Sequence, residues 1–247
     1  MRILICNDDG LHSNGMRSLE RVLSRNHEVW AVCPDRQRSG TSQAISLRET
    51  LRMKEVEARH FQVSGFPVDC VNLALHSGMF PPFDLVVSGI NHGYNLGDDV
   101  HYSGTVGAAR HACIHGYLAV AISCGIYDIG ADFSHVADWF GQWLEENLPS
   151  LNTGVVYNIN YPELPSPDLR SVFTRHGKRI YRDQYEILEE EAGKSFVFKL
   201  KETIMGHKEE EFSDFSAIES GHVSITPLGL QTTHDQELQG WIENVKS

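Results

Sequence analysis

Over roughly the first 160 residues, short and wholly apolar runs alternate with segments whose apolar residues recur at helical spacing. Runs that are apolar on both faces, such as residues 3–6 (ILIC) and 118–123 (LAVAIS), are typical of parallel strands covered by helices on both sides. Segments such as 16–25 and 135–147 instead carry their apolar residues on one helix face. This alternation predicts an α/β fold with a doubly wound, mostly parallel, Rossmann-like sheet.

The same patterns locate the other elements and divide the chain. Strands are predicted at 28–33, 50–54, 61–63, 84–88 and 155–159, and helices at 69–77, 106–115 and 236–245. The glycine-rich residues 89–104 are predicted to form a long loop, and loops of this length in a compact domain are usually functional. After residue 162 the sequence becomes β-rich and acidic. We therefore expect a single domain over 1–247, with an α/β core at 1–162 and a β-rich extension at 163–247 that ends in the last helix.

The overall charge limits the partners that this chain can bind. Lysine and arginine number 21 and aspartate and glutamate number 33, so the formal net charge is −12. A chain this acidic, without a run of five basic residues, is not expected to bind a nucleic-acid duplex or an anionic membrane surface. If it handles phosphate groups, a bound cation is the simplest way to offset the repulsion.

The five cysteines indicate the cellular compartment. They are odd in number, widely spaced and in apolar surroundings, which is typical of reduced, buried thiols rather than of a disulfide framework. The chain does not open with a signal-peptide pattern, and it has no stretch of 18 apolar residues that could span a membrane. We therefore expect a cytoplasmic protein.

Two adjacent acids, Asp8 and Asp9, follow the first predicted strand directly. In an open parallel sheet, ligands bind beyond the carboxyl ends of the strands. Two carboxylates at that place repel one another unless a proton or a cation lies between them. Their oxygen atoms suit one hard divalent ion per subunit, Mg²⁺ or Mn²⁺ above all, although a turn or a helix cap would also explain a single aspartate there.

Two later loops can reach the same edge of the sheet. In the loop after the second strand, Ser39 offers a neutral hydroxyl oxygen to a metal ion, and Arg36 and Arg38 can pair with phosphate. In the long glycine-rich loop, Asn91 offers a carbonyl oxygen. Neutral oxygen donors of this kind complete a site that begins with carboxylates.

The end of the long loop is a candidate phosphate site. Ser103, Gly104 and Thr105 precede a predicted helix, whose free backbone N–H groups and dipole favour an anion. The same residues could also serve only as a helix cap. The acidic pair Asp98 and Asp99 earlier in this loop is expected to structure the loop rather than to bind a metal.

Three other kinds of chemistry lack their motifs. The turn after the first strand has no G-x-G-x-x-G, which weighs against a dinucleotide cofactor. His111 and His115 have the i, i+4 spacing of a zinc hydrolase but lack the catalytic glutamate of H-E-x-x-H. No G-x-S-x-G elbow for acyl transfer occurs either. The residues therefore favour a metal-dependent phosphatase.

Five stretches of the sequence together resemble the SurE family of survival proteins. They are ILICNDDG from residue 3, PDRQRSGTS from 34, VSGINHGYNLGDDVHYSGTVGAA from 87, NINYP from 158 and SITPL from 224. The resemblance implies a metal-dependent 5′/3′-nucleotidase that hydrolyses nucleoside monophosphates. It also implies a homodimer or homotetramer that exchanges a C-terminal arm, which we place at residues 168–218. The implied metal ligands are Asp8, Asp9, Ser39 and Asn91, and the implied phosphate contacts are Asn95, Ser103, Gly104 and Thr105.

The resulting hypothesis is hydrolysis by a metal-activated water. The ion would lower the pKa of a bound water to give a hydroxide, while residues 103–105 hold the other phosphate oxygens. Asp8 or Asp9 would guide the proton. Two alternatives stay open, namely a haloacid-dehalogenase-like phosphatase with an aspartate nucleophile and a non-catalytic nucleotide- or metal-binding regulator.

Overall fold

A computed structural model of the chain describes residues 1–128, 130–191, 193–201 and 206–246. The strands are β1 (Arg2–Cys6), β2 (Glu28–Pro34), β3 (Met53–Glu57), β4 (His60–Val63), β5 (Leu85–His92), β6 (Leu118–Cys124), β7 (Val155–Tyr161), β8 (Ser171–Phe173), β9 (Arg179–Ile180), β10 (Tyr185–Glu191), β11 (Ser195–Leu200), β12 (Gly206–His207) and β13 (Val223–Gly229). The helices are α1 (Asn14–Leu23), α2 (Pro67–His76), α3 (Gly104–Ile114), α4 (Ser134–Asn147), α5 (Asp214–Glu219) and α6 (Asp235–Lys246). None of the described helices is both long and apolar enough to cross a membrane.

Nine strands form one sheet, in the order β3-β4-β2-β1-β5-β6-β7-β13-β8. Near its centre β1 pairs in parallel with β2 and β5, and parallel pairing continues to β4 on one side and through β6 to β7 on the other. Only β3 with β4 and β13 with β7 pair antiparallel in this sheet, as far as the described residues show. The prediction of an α/β fold with a mostly parallel sheet is confirmed. Strands β8 and β13 come from the segment after residue 162, so both predicted parts of the chain contribute to the sheet.

Helices cover both faces of the sheet, and each face has its own apolar core. On one face α1 and α4 pack through side chains such as Leu19 and Phe140, which are fully buried. On the other face α2 and α3 pack against each other and against the sheet through Val71 and Val106. Because both faces are covered in this way, the ends of the strands are the places left open to a ligand.

The prediction of a continuous loop over residues 89–104 was wrong. Strand β5 continues to His92, beyond its predicted end, and a short 3₁₀ helix occupies part of the remainder. Gly89 permits this extension, because its φ is +137° and a Cβ there would lie 2.2 Å from the backbone oxygen of Ile122. As a result, Asn91 projects from a strand rather than from a loop.

Much of the arm lies outside the large sheet. Strands β10 and β11 form an antiparallel hairpin, and β9 and β12 form a second small pair. Helix α5 was not predicted, because its six residues are too few to display a helical repeat. The hairpin leaves several large apolar side chains exposed, namely Ile187, Phe196, Phe198 and Leu200.

Candidate active site at the carboxyl ends of the strands

Asp8 lies in the turn after β1, beside the first residues of α3. Its side chain is buried, and the Thr105 hydroxyl donates a 2.5 Å hydrogen bond to its Oδ1. Gly104 permits this close approach, because a Cβ there would lie 3.1 Å from the Cβ of Asp8. Burial and, to a smaller extent, the charge of Asp9 raise the pKa of Asp8 to about 7. A cation nearby would therefore favour the ionised form of this carboxyl group.

Asp9 is held by His92, the last residue of β5. The Nδ1 atom of His92 lies 2.8 Å from Oδ2 of Asp9, and the two side chains are only 6% and 7% exposed. Because an ionised carboxylate only accepts hydrogen bonds, the ring carries a proton on Nδ1. An edge contact with Phe133 holds the ring, whose Nε2 has no hydrogen-bond partner among the described residues. Sequence reasoning missed His92, although its place next to Asn91 was an available signal.

Ser39 and Asn91, the two predicted neutral donors, line the same cavity as Asp8. The side-chain amide of Asn91 donates to the backbone oxygen of Gly93 at 2.9 Å, which leaves Oδ1 as its group for a ligand. The backbone N–H of Arg38 donates to the backbone oxygen of Asp8 at 2.7 Å. This bond brings the loop that carries Ser39 next to Asp8.

The predicted phosphate contacts divide into two groups. Asn95 and Ser103 line the cavity, whereas Gly104 and Thr105 are buried against Asp8. Ser103 also caps α3, because its hydroxyl accepts a 3.1 Å hydrogen bond from a backbone N–H of the first turn. Since the Thr105 hydroxyl is committed to Asp8, the group that Thr105 can offer to an anion is its backbone N–H.

Asn95 is fixed by a small network of polar side chains. Its Nδ2 donates to the Ser123 hydroxyl at 2.7 Å, and its backbone N–H donates to Oδ1 of Asn160 at 2.8 Å. Its backbone oxygen accepts from the side-chain amides of Asn158 and Asn160. The polar residues of the NINYP stretch therefore anchor the loop that forms one wall of the cavity.

The cavity has a volume of about 460 Å³, which is in the range of sites for small molecules. Three of its residues come from the arm, far in sequence from Asp8, and were missed by sequence reasoning. The lining residues are Asp8, Ser39, Gly40, Asn91, His92, Asn95, Asp99, Tyr102, Ser103, Tyr181, Asp183 and Leu200.

The family model described as "Survival protein SurE" matches residues 3–183. The chain belongs to the SurE family. A protein named 5′-nucleotidase SurE from Leptospira interrogans is 43% identical over 234 residues, which cover 94% of this chain and 93% of that protein. A protein of the same name from Geotalea uraniireducens is 38% identical and covers 96% of each chain. The crystal structure of a SurE protein from Aquifex aeolicus has a TM-score of 0.83 at 30% identity, and the match covers 100% of both chains.

In this SurE-family chain, the arm is tied to the long loop by acidic side chains. Asp99 accepts hydrogen bonds from the Arg179 guanidinium and, at 2.7 Å, from the Tyr181 hydroxyl. Asp98 accepts from Lys178 Nζ at 3.1 Å and from the Arg179 backbone at 3.0 Å. Burial and the bond to Asp99 raise the pKa of Tyr181, which keeps its hydroxyl a donor. The side chains of the acidic pair thus join residues 98 and 99 to the arm.

The two arginines proposed for phosphate lie elsewhere. The Arg38 guanidinium donates to the backbone oxygen of Ser64 at 2.8 Å and stacks over the Phe66 ring. Arg36 lines a neighbouring cavity of about 320 Å³, together with Asp9. Neither arginine lines the cavity of Asp8, so the possible pairing of Arg36 and Arg38 with phosphate stays a prediction.

The donor set at the SurE strand ends fits a hard divalent ion. Asp8, Asp9, Ser39 and Asn91 all offer oxygen atoms, which Mg²⁺ and Mn²⁺ prefer. Within the described part of the chain, no group of three or more His, Cys, Asp or Glu side chains is arranged to hold a metal ion by itself. A metal site here would therefore need the neutral donors as well as the carboxylates.

Proposed function

We propose that this chain is a phosphoric monoester hydrolase that acts on nucleoside monophosphates, as a 5′/3′-nucleotidase dependent on a divalent metal ion. The observation that carries the proposal is the buried carboxyl of Asp8, which lies against the first turn of α3 and beside Asp9. An acidic pair and a helix N-terminus at one strand end can together bind a cation and an anion. The names of the relatives support the choice of nucleotides as substrates.

The metal would be held by Asp8, Asp9, Ser39 and Asn91, with Mg²⁺ or Mn²⁺ preferred. Such an ion, when bound, supplies Lewis-acid chemistry, since it lowers the pKa of a coordinated water and offsets phosphate charge. The chain's own residues would do the rest. His92 would keep Asp9 in one orientation through the Nδ1–H bond, and the Thr105 hydroxyl would do the same for Asp8.

The phosphate would lie at the start of α3. Ser103 and Asn95 line the cavity there, and Asn95 is held by its own hydrogen-bond network. The free backbone N–H groups of the first turn of α3 would supply further donors. Donors fixed in place before the reaction stabilise the charge that grows on phosphate oxygens. Tyr102 and Tyr181, in edge contact at 5.8 Å, give the cavity an apolar wall where a nucleoside base can pack.

A single activity screen tests this proposal. Purified protein would be incubated with nucleoside 5′- and 3′-monophosphates and Mg²⁺, Mn²⁺, Zn²⁺ or EDTA, and released phosphate measured. We expect turnover only with an added divalent ion, and loss of turnover in Asp9→Asn. The matched control is Asp138→Asn, which removes an exposed carboxylate on α4. Full activity of Asp9→Asn, or nucleotide binding without turnover of any phosphomonoester, would contradict the proposal.

The same purified protein can be used to distinguish attack by water from the main alternative, attack by an aspartate nucleophile. Direct attack by water leaves no covalent phosphate on the protein, whereas an aspartate nucleophile forms an aspartyl-phosphate. Acid quenching during turnover, followed by mass spectrometry of the intact chain, distinguishes the two. We expect the unmodified mass at every time point.

We further propose a homodimer or homotetramer that exchanges the arm. The hairpin exposes Phe198 and Leu200, and helix α6 exposes Trp241 and Leu238. Clustered apolar side chains of this kind mark interaction surfaces, and a small hairpin gains stability by pairing with a neighbour. Light scattering at micromolar concentration tests this, with Phe198→Asp expected to weaken assembly. A stable wild-type monomer would contradict it.

A cytoplasmic location belongs to the same proposal. All five cysteines are buried and free in the structure, namely Cys6, Cys33, Cys70, Cys113 and Cys124. Free thiols are typical of a reducing compartment. Cell fractionation with a marker for each compartment tests the location, and recovery in the periplasmic or membrane fraction would contradict it.

A further inference from the structure

Three histidines meet where α2 and α3 end, far from the candidate active site. His76 is the last residue of α2, His115 follows α3, and His111 lies one turn earlier on α3. The Nε2 atom of His76 is 3.1 Å from Nδ1 of His115, and the rings of His111 and His115 have centroids 4.6 Å apart. Because α3 begins at the phosphate end of the cavity, its eleven residues separate the two places by about 16 Å.

Two of the three rings, those of His111 and His115, have lowered pKa values. Burial, and then the neighbouring rings, lower the pKa of His111 to about 4, and burial and His76 lower the pKa of His115 as well. The ion pairs of histidine among the described residues involve other rings. At neutral pH His111 and His115 are therefore uncharged, and each keeps one ring nitrogen with a lone pair. Neutral imidazole is the ligand that zinc, copper and nickel ions prefer.

The spacing of the facing nitrogens suits a shared ion. Zn–N bonds of 2.0–2.1 Å in a tetrahedral site place two nitrogens about 3.3 Å apart, close to the 3.1 Å between His76 and His115. Both side chains are exposed, so an ion can reach them. His111 is held by Asn72, whose Oδ1 lies 3.2 Å from its Nε2, and its ring packs against the ring of His115.

We propose that His76 and His115 form a second metal site, which binds one borderline divalent ion such as Zn²⁺ or Ni²⁺ with water molecules as the other ligands. The site differs from the proposed catalytic one in its donor atoms, nitrogen instead of oxygen. A bound ion joins the C-terminal ends of α2 and α3 and stabilises the fold by mass action. This inference does not rest on the proposed function.

Calorimetric titration of tag-free protein with Ni²⁺ in excess Mg²⁺ tests the site. The variants are His76→Gln and His115→Gln, and the matched control is His135→Gln, an exposed histidine on α4 that packs against Tyr161. We expect the wild type and the control to bind one Ni²⁺ that the two variants lose or bind at least about tenfold more weakly. Equal stoichiometry and affinity in all four proteins would overturn the proposal.

A thermal melt gives a second measure that does not depend on catalysis. Ni²⁺ should raise the unfolding midpoint of the wild type and the control but not of His76→Gln or His115→Gln. Circular dichroism without metal verifies that the variants fold, as expected for two exposed side chains. An equal rise of the midpoint in all four proteins would also overturn the proposal.

Discussion

The strand ends around Asp8 and the arm around Tyr181 contribute to one cavity in different ways. Asp8 is buried and follows a central strand whose two faces are both covered by helices. The arm forms small two-stranded sheets, and its Phe198 side chain is 56% exposed. It reaches the cavity through the contacts of Asp99 with Arg179 and Tyr181. We infer that the strand ends carry the chemistry and that the arm shapes the space for the substrate.

The largest effect is expected at the strand ends, from Asp8→Asn. The amide still accepts the Thr105 hydroxyl, so the fold should persist while the charge that binds the ion is lost. We expect kcat to fall by about 100-fold or more, the scale on which loss of a charge-stabilising group acts. Steady-state kinetics checks this, with Asp138→Asn as the control. A kcat within about threefold of the wild type would break the assignment of chemistry to this region.

A smaller effect is expected from His92→Ala, which leaves the carboxylates and removes the group that orients Asp9. Loss of such a supporting residue weakens metal binding by about 10- to 100-fold. Measuring turnover as a function of metal concentration tests this, with His135→Gln as the control. If the variant needed the same metal concentration for half-maximal turnover as the wild type, His92 would serve only to pack against Phe133.

The pKa of Asp8 predicts a pH dependence of metal binding. With a pKa of about 7, Asp8 is mostly protonated at pH 6 and mostly ionised at pH 8. Because a metal ion competes with that proton, the affinity should rise about tenfold from pH 6 to pH 8. Calorimetry with Mn²⁺ on EDTA-treated protein measures the slope. Asp8→Asn should abolish it, and a flat profile in the wild type would contradict the account.

The smallest effect is expected in the arm, from Arg179→Ala. This change breaks the tie to Asp99 and should loosen the wall that carries Tyr181. We expect KM to rise by about five- to tenfold while kcat stays within about twofold, since the arm is proposed to shape binding rather than chemistry. Lys178→Ala is the matched control, because its partner Asp98 keeps the Arg179 backbone contact. A fall in kcat with an unchanged KM would reverse the division between the two regions.

The same contrast explains how much the sequence could predict. Asp8 and Asn91 were predicted as site residues because both were expected just after parallel strands, whose carboxyl ends meet at one edge. His92 was missed because its role depends on a contact with Asp9 across the strands. Tyr181 was missed because it joins the cavity through Asp99, a pairing between segments far apart in sequence. Patterns within one segment carry no information about such contacts.

Crystals soaked in Mn²⁺ and measured for anomalous scattering test the central claim most directly. The account predicts one peak per chain between the carboxylates of Asp8 and Asp9, facing Oδ1 of Asn91. Manganese prefers oxygen ligands, so His76 and His115 should show little by comparison. No peak at the carboxylates of a well-ordered, fully soaked crystal would contradict the account, and so would a peak at the histidines alone.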